Sequence, residues 1–146
     1  MLTFIKYLWA APCTAVGACL GAVMMCVGAK LRLRAGIAEV AFLNSATFGA
    51  QTLHRLPIAS ITFGHVVLAR TEQEQARLRI HERAHVTQYE KWGILLFVLY
   101  PVSSLAQAVR GGHAYRDNHF EVQARAAEQE QATPGMPDYR ARFSRS

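Results

Sequence analysis

Between Lys6 and Lys30 the chain carries no charged side chain, and this uncharged run constrains its folding more than any other feature. From Leu8 to Ala29 it holds about 22 residues, which at 1.5 Å rise per residue reach about 33 Å, the thickness of a bilayer core. The run is alanine-heavy and is diluted by Pro12, Thr14, Gly17, Gly21 and Gly28. Gly17 and Gly21 form a GxxxG pair of the kind that lets membrane helices approach closely. Three readings follow. A membrane anchor is the first expectation, because Lys30, Arg32 and Arg34 stand directly after the run, where basic residues meet anionic head groups. A cleaved signal peptide is the second, since Val27-Gly28-Ala29 puts small residues at a cleavage position and the product would be secreted. A helix packed on the rest of the protein is the third. Val16-Gly17-Ala18-Cys19 also has the look of a lipoprotein cleavage site, but the apolar run continues well past the cysteine and argues against it. With one lysine before the run and three basic residues after it, the positive-inside tendency places the body that follows this single span in the cytoplasm. Residues 1–34 are therefore read as a membrane segment with its basic flank.

The chain of 146 residues is long enough for one domain and too short for two ordinary ones. Its net charge of +6 invites a nucleic-acid reading, but the basic residues are scattered and no aromatic-and-basic motif accompanies them, so no nucleic-acid partner is expected. Arg140, Arg142 and Arg145 read as a solvated end. All three cysteines, Cys13, Cys19 and Cys26, lie within the apolar run, which leaves the body without a disulfide framework or a thiolate metal site.

After Ala35 the character changes. Ile37–Leu43 and Ile58–Leu68 are rich in Ile, Val, Phe and Thr, and the alternation through Ser60-Ile61-Thr62-Phe63 and His65-Val66-Val67-Leu68 predicts strands. Two or three short strands are expected, antiparallel because their connections look too short for a crossover. Thr71 followed by Glu74 is a capping box, and Gly93 stands where a helix would stop. The span between them has no Pro or Gly and predicts the best-marked helix of the chain. A second helix is expected from Ile94 to about Val109, kinked or cut short by Pro101 and ended by Gly111-Gly112. A third runs from Asn118 to about Gln131. Fold class is thus α+β: a short antiparallel sheet with three helices over residues 35–131, behind an N-terminal apolar helix. Residues 132–146, with Pro134, Gly135 and Pro137, are expected to be a disordered tail.

The chemistry lies in His81-Glu82-Arg83-Ala84-His85. Positions i and i+4 share one helix face, so the two imidazoles point the same way and can grip one metal ion. Zinc suits imidazole and a four-coordinate site that keeps one position open. Glu82 lies beside the first histidine, placed to take a proton from a water that the metal activates. The bland alternative is a solvated helix face carrying Arg83 and Glu90.

Such a segment on a helix that follows a strand resembles the zincin metallopeptidases, and Asn118-His119-Phe120-Glu121-Val122-Gln123-Ala124 resembles the glutamate-bearing helix of their gluzincin branch. The longer pattern Gly64-His65-Val66, His81-Glu82, His85-Val86, Gln88-Tyr89-Glu90, Trp92-Gly93, Tyr115-Arg116, Asn118 and Phe120-Glu121 is similar to a family of small bacterial proteins and covers roughly residues 57 to 128. The resemblance implies a small zincin-like domain that binds Zn2+, with His81, His85 and Glu121 as ligands and Glu82 as general base. Its implied function is hydrolysis of peptide bonds in a peptide or protein substrate. Gluzincins often carry an Asp three or four residues after the ligand glutamate; Ala124 and Arg125 stand there, which leaves the residues behind the ligands unassigned. The alternative function is a non-catalytic membrane-associated protein with a structural metal site. Glu121, three residues after Asn118, also fits a helix-capping pattern. His65, in an apolar strand, reads first as a core histidine and second as a residue facing the site. Tyr115 and Asn118 complete the candidates for substrate or supporting contacts.

Overall fold

Period-two alternation and a capped helix account for most of the architecture. The computed structural model describes residues 2–56 and 58–132, which fall into two units, one up to Leu96 and one from Phe97. The expected tail, from residue 133 onward, lies outside the described residues. The fold class is α+β, as expected: helices α1 (Leu2–Cys26), α2 (Phe48–Leu53), α3 (Glu72–Trp92), α4 (Leu96–Val109) and α5 (His119–Ala132), with strands β1 (Lys30–Arg34), β2 (Ile37–Phe42), β3 (Ser60–Phe63) and β4 (Val66–Thr71).

The first unit is a four-stranded sheet in the order β1-β2-β4-β3, with helices on both faces. One expectation is corrected here. The sheet is mixed, because β2 and β4 pair in parallel while β1–β2 and β3–β4 are antiparallel. The parallel pairing is reached because residues 43 to 65, with α2 and β3 inside them, are longer than the dozen or so residues a crossover needs. The basic residues after α1, Lys30–Arg34, form the edge strand β1, in register with Arg34–Ile37 and Lys30–Ala41 pairs. Its alternation of basic residues and leucines is what an edge strand tolerates, since charge discourages pairing with another chain.

Because side chains alternate across a strand, β2 and β4 supply two different cores. Val40, Phe42, Val66 and Leu68 face one side and pack with Ala29, Ala50, Met24 and Phe63. Ile37 and Val67 face the other and meet Val86 of α3. A central sheet covered twice reads as an almost continuous apolar run, as β2 and β4 do. The β3–β4 hairpin turns through Gly64 and His65, opposite Phe63 and Val66. Gly64 has φ 59°, and Thr14 of α1 lies where a Cβ would project, so both conformation and space require glycine there.

Helix α1 is seated on this unit. Its C-terminal half lies on the sheet, where a Cβ on Gly17 would stand 2.8 Å from Val66 Cβ and one on Gly21 3.2 Å from Val40 Cγ2. The GxxxG pair thus serves close approach to a sheet rather than to another helix. The N-terminal half passes the hairpin tip and reaches the end of α3: Tyr7 stacks on His65 with ring centroids 4.1 Å apart, and Lys6 pairs with Glu90 at 3.2 Å. By length and composition, residues Ile5–Cys26 could cross a membrane.

Helix α3 starts as its sequence predicts, with the Thr71 hydroxyl accepting from the Glu74 amide at 3.2 Å, and it stops at Gly93. Acidic Glu72 and Glu74 in its first turn oppose the positive end of the helix dipole. The chain continues through a short 3-10 turn, Gly93–Leu95, into α4, which runs on through Pro101 rather than ending there.

In the second unit, α4 and α5 are joined by a turn pinned by Asn118. Its side-chain amide donates to the Tyr100 carbonyl and to Ser104 Oγ at 3.0 and 2.7 Å, and its Oδ1 accepts from the Phe120 amide at 2.9 Å. Asn118 is fully buried, and Tyr100 stacks on Phe120.

Candidate metal centre

A pair of histidines one helical turn apart can converge only if their rings are turned toward each other, and this is what α3 provides. His81 Nε2 and His85 Nε2 are 3.1 Å apart. Two nitrogens bound to one tetrahedral zinc at 2.0–2.1 Å would stand roughly 3.3 Å apart, so the pair is already at chelating distance. Its surroundings are not those of a solvated face: His81 and Glu82 are buried and His85 is half-buried, while Arg83 between them points outward.

Two neighbours orient side chains of this segment, Gln88 on His85 and Thr62 on Glu82, and were not legible as such in the sequence. Gln88 is buried on the same helix face, and its Oε1 accepts from His85 Nδ1 at 2.9 Å. That hydrogen bond puts the ring proton on Nδ1 and turns the lone pair of Nε2 toward His81. The only available signal was spacing, three residues beyond the second histidine. Thr62 of β3 is buried on the α3 side of the sheet and donates to Glu82 Oε2 at 2.7 Å. Its face could be read from the alternation, but its partner could not.

The third candidate, Glu121, belongs to the second unit and occupies the first turn of α5. It is buried, and the Tyr100 hydroxyl donates to its Oε1 at 2.7 Å. Asn118 caps the start of α5, its Oδ1 accepting from the Phe120 amide. Ala124, where an Asp was sought, is completely buried and brings no polar group. Tyr100 supports the Glu121 carboxylate, with Arg125 Nη1 3.9 Å from its Oε2, and nothing in the sequence singled Tyr100 out. In donor chemistry, His81 and His85 of the first unit offer two imidazole nitrogens suited to a metal ion.

The remaining sequence candidates have other partners. His65 is buried in the hairpin turn, stacked on Tyr7, with Nε2 3.4 Å from Glu90 Oε1 and Nδ1 3.4 Å from Thr14 Oγ1. It ties α1 to α3. The His65 hydrogen bond, followed by Lys6, holds the Glu90 carboxyl below its ordinary range. Burial pushes the neighbouring Tyr89 hydroxyl upward, which keeps it a neutral phenol. Asn118 is the α4–α5 staple, and Tyr115 lies exposed on the preceding turn, where its amide donates to His113 Nδ1.

The chain matches no protein-family model, no curated protein and no solved structure.

Proposed function

We propose that this protein is a zinc-dependent metallopeptidase, with Zn2+ held by His81, His85 and Glu121 and with Glu82 as its general base. The observation that carries the reading is the 3.1 Å approach of the two Nε2 atoms on a buried helix face, with His85 oriented by Gln88. A bound zinc would polarise a substrate carbonyl and lower the pKa of a water. The chain's own part is positional. Thr62 fixes Glu82 through Oε2, which aims the carboxylate and leaves its other oxygen to accept a proton and return it to the leaving amine. Tyr100 holds the Glu121 carboxylate in one orientation.

Purified protein should contain about one zinc per chain, and His85→Ala and Glu121→Ala should each lose it. Zinc retained in either variant removes that residue from the ligand set. Glu82→Gln should keep the metal and abolish cleavage of a peptide library. A structural metal site is the second reading, favoured by the buried Ala124 where a peptidase of this kind often has an orienting acid. It gains if wild type and Glu82→Gln both hold zinc and neither cleaves.

A further inference from the structure

We infer that α1 lies along one leaflet of a lipid bilayer, as a fixed layer of the first unit, with its outer side in the acyl chains. This inference rests on α1 and the sheet, independently of the metal reading.

The side chains of α1 are distributed the wrong way round for a helix in water. The stripe that packs inward is made of small residues: Ala10, Cys13, Thr14, Gly17 and Gly21 are buried or half-buried. Leu8, Val16, Leu20 and Val23 point away from the protein, 66%, 43%, 43% and 64% exposed, while Met24 reaches the core. A soluble helix buries its large side chains. Small residues at the packing face and large ones outside are the arrangement of helices surrounded by lipid. Exposed apolar surface on this scale requires a partner.

The partner is a bilayer because of composition and geometry together. From Tyr7 to Ala29 no side chain carries a charge, so the exposed outer side of α1 brings no charge into hydrocarbon. On β1, Leu31 lies opposite Val40, on the α1 side of the sheet, and both Leu31 and Leu33 are exposed there. The apolar surface therefore continues from the helix onto the sheet edge.

The seating decides the orientation. Contacts with the unit run from Lys6–Glu90 and Tyr7–His65 to Gly17–Val66 and Gly21–Val40, nearly the whole helix. A helix standing across the bilayer in this seat would carry the sheet, and the open edge of β1 with its charges, into hydrocarbon. Unpaired backbone groups are not tolerated there. Lying in the plane of one leaflet satisfies both sides: the small stripe stays on the protein and the large residues enter the acyl boundary.

The full chain, with an epitope tag joined to its N-terminus, would be added to sealed vesicles of phosphatidylcholine and phosphatidylglycerol. Expected are co-flotation with the vesicles and digestion of the tag by protease added outside. Leu20→Glu should bind these vesicles at least about tenfold more weakly with its circular dichroism unchanged, because the substituted side chain points away from the protein. Val16→Gln is the second variant should Leu20→Glu fail to fold. A tag protected from outside protease means that the helix crosses, and overturns in-plane seating. Absence of flotation, or unchanged binding in a folded variant, overturns lipid as the partner.

Discussion

His85 shows how much a single hydrogen bond decides. A free imidazole can present either nitrogen, but the Gln88 oxygen at 2.9 Å from Nδ1 selects the form whose Nε2 lone pair faces His81. Gln88→Ala should therefore weaken zinc binding by about 10- to 100-fold while leaving helix content intact, measured by competition with a chelator. Gln88→Glu, which keeps an acceptor in place, should restore most of the affinity. Glu90 sets a second residue-scale expectation. Its carboxyl is held below the ordinary value of 4.5 by the hydrogen bond from His65, then by Lys6. A depressed acid contributes stability that is fully present above 4.5 and is lost as pH falls through the lower folded value. Unfolding midpoints measured from pH 6 downward should fall less steeply for Glu90→Gln than for wild type, the difference appearing below about pH 4.5. Equal slopes would remove Glu90 as a source of acid sensitivity.

At the scale of elements, the Thr71 cap and the small-residue stripe of α1 do different work. Thr71 satisfies one of the free amides that every helix start leaves, so Thr71→Ala should destabilise the first unit by about 1 kcal/mol in denaturant unfolding, with an unchanged m value. Strand β2 has a partner on each side, and its parallel pairing with β4 exists only because α2 and β3 fill the intervening chain. The residues from Ile37 to Phe42 and from Ser60 to Phe63 announce strands through their alternation, but alternation is the same in parallel and antiparallel pairs. Direction is set by where the next element can return, which is a property of the connection and not of the strand. Lys30–Arg34 was not legible as a strand for a related reason: its pairing depends on where β2 comes to rest, which charges after an apolar helix do not announce.

For the whole molecule, the proposed zinc site would link metal binding to folding. A ligand that binds only the folded state at about 100 times its Kd adds about 2.7 kcal/mol. Zinc should thus raise the thermal midpoint of the wild type, a chelator should reverse the rise, and His81→Ala should respond to neither. A wild-type midpoint indifferent to zinc would leave the histidine pair without a metal role. Neither this response nor hydrolysis depends on how α1 meets lipid, so flotation and metal content can fail separately.

Sequence alone determined the features that rest on local periodicity and short-range chemistry. These are the apolar helix, the capped start and glycine stop of α3, the shared face of His81 and His85, and the α+β class. What the tertiary structure decided are relations between distant segments: the parallel pairing of β2 with β4, the hold of Thr62 on Glu82 and of Tyr100 on Glu121, the capture of His65 by Tyr7 and Glu90, and the seat of α1 on the sheet. The reason is physical. A helix or strand writes its period into neighbouring residues, whereas a contact across 20 or 50 positions depends on where the chain's connections let each face come to rest.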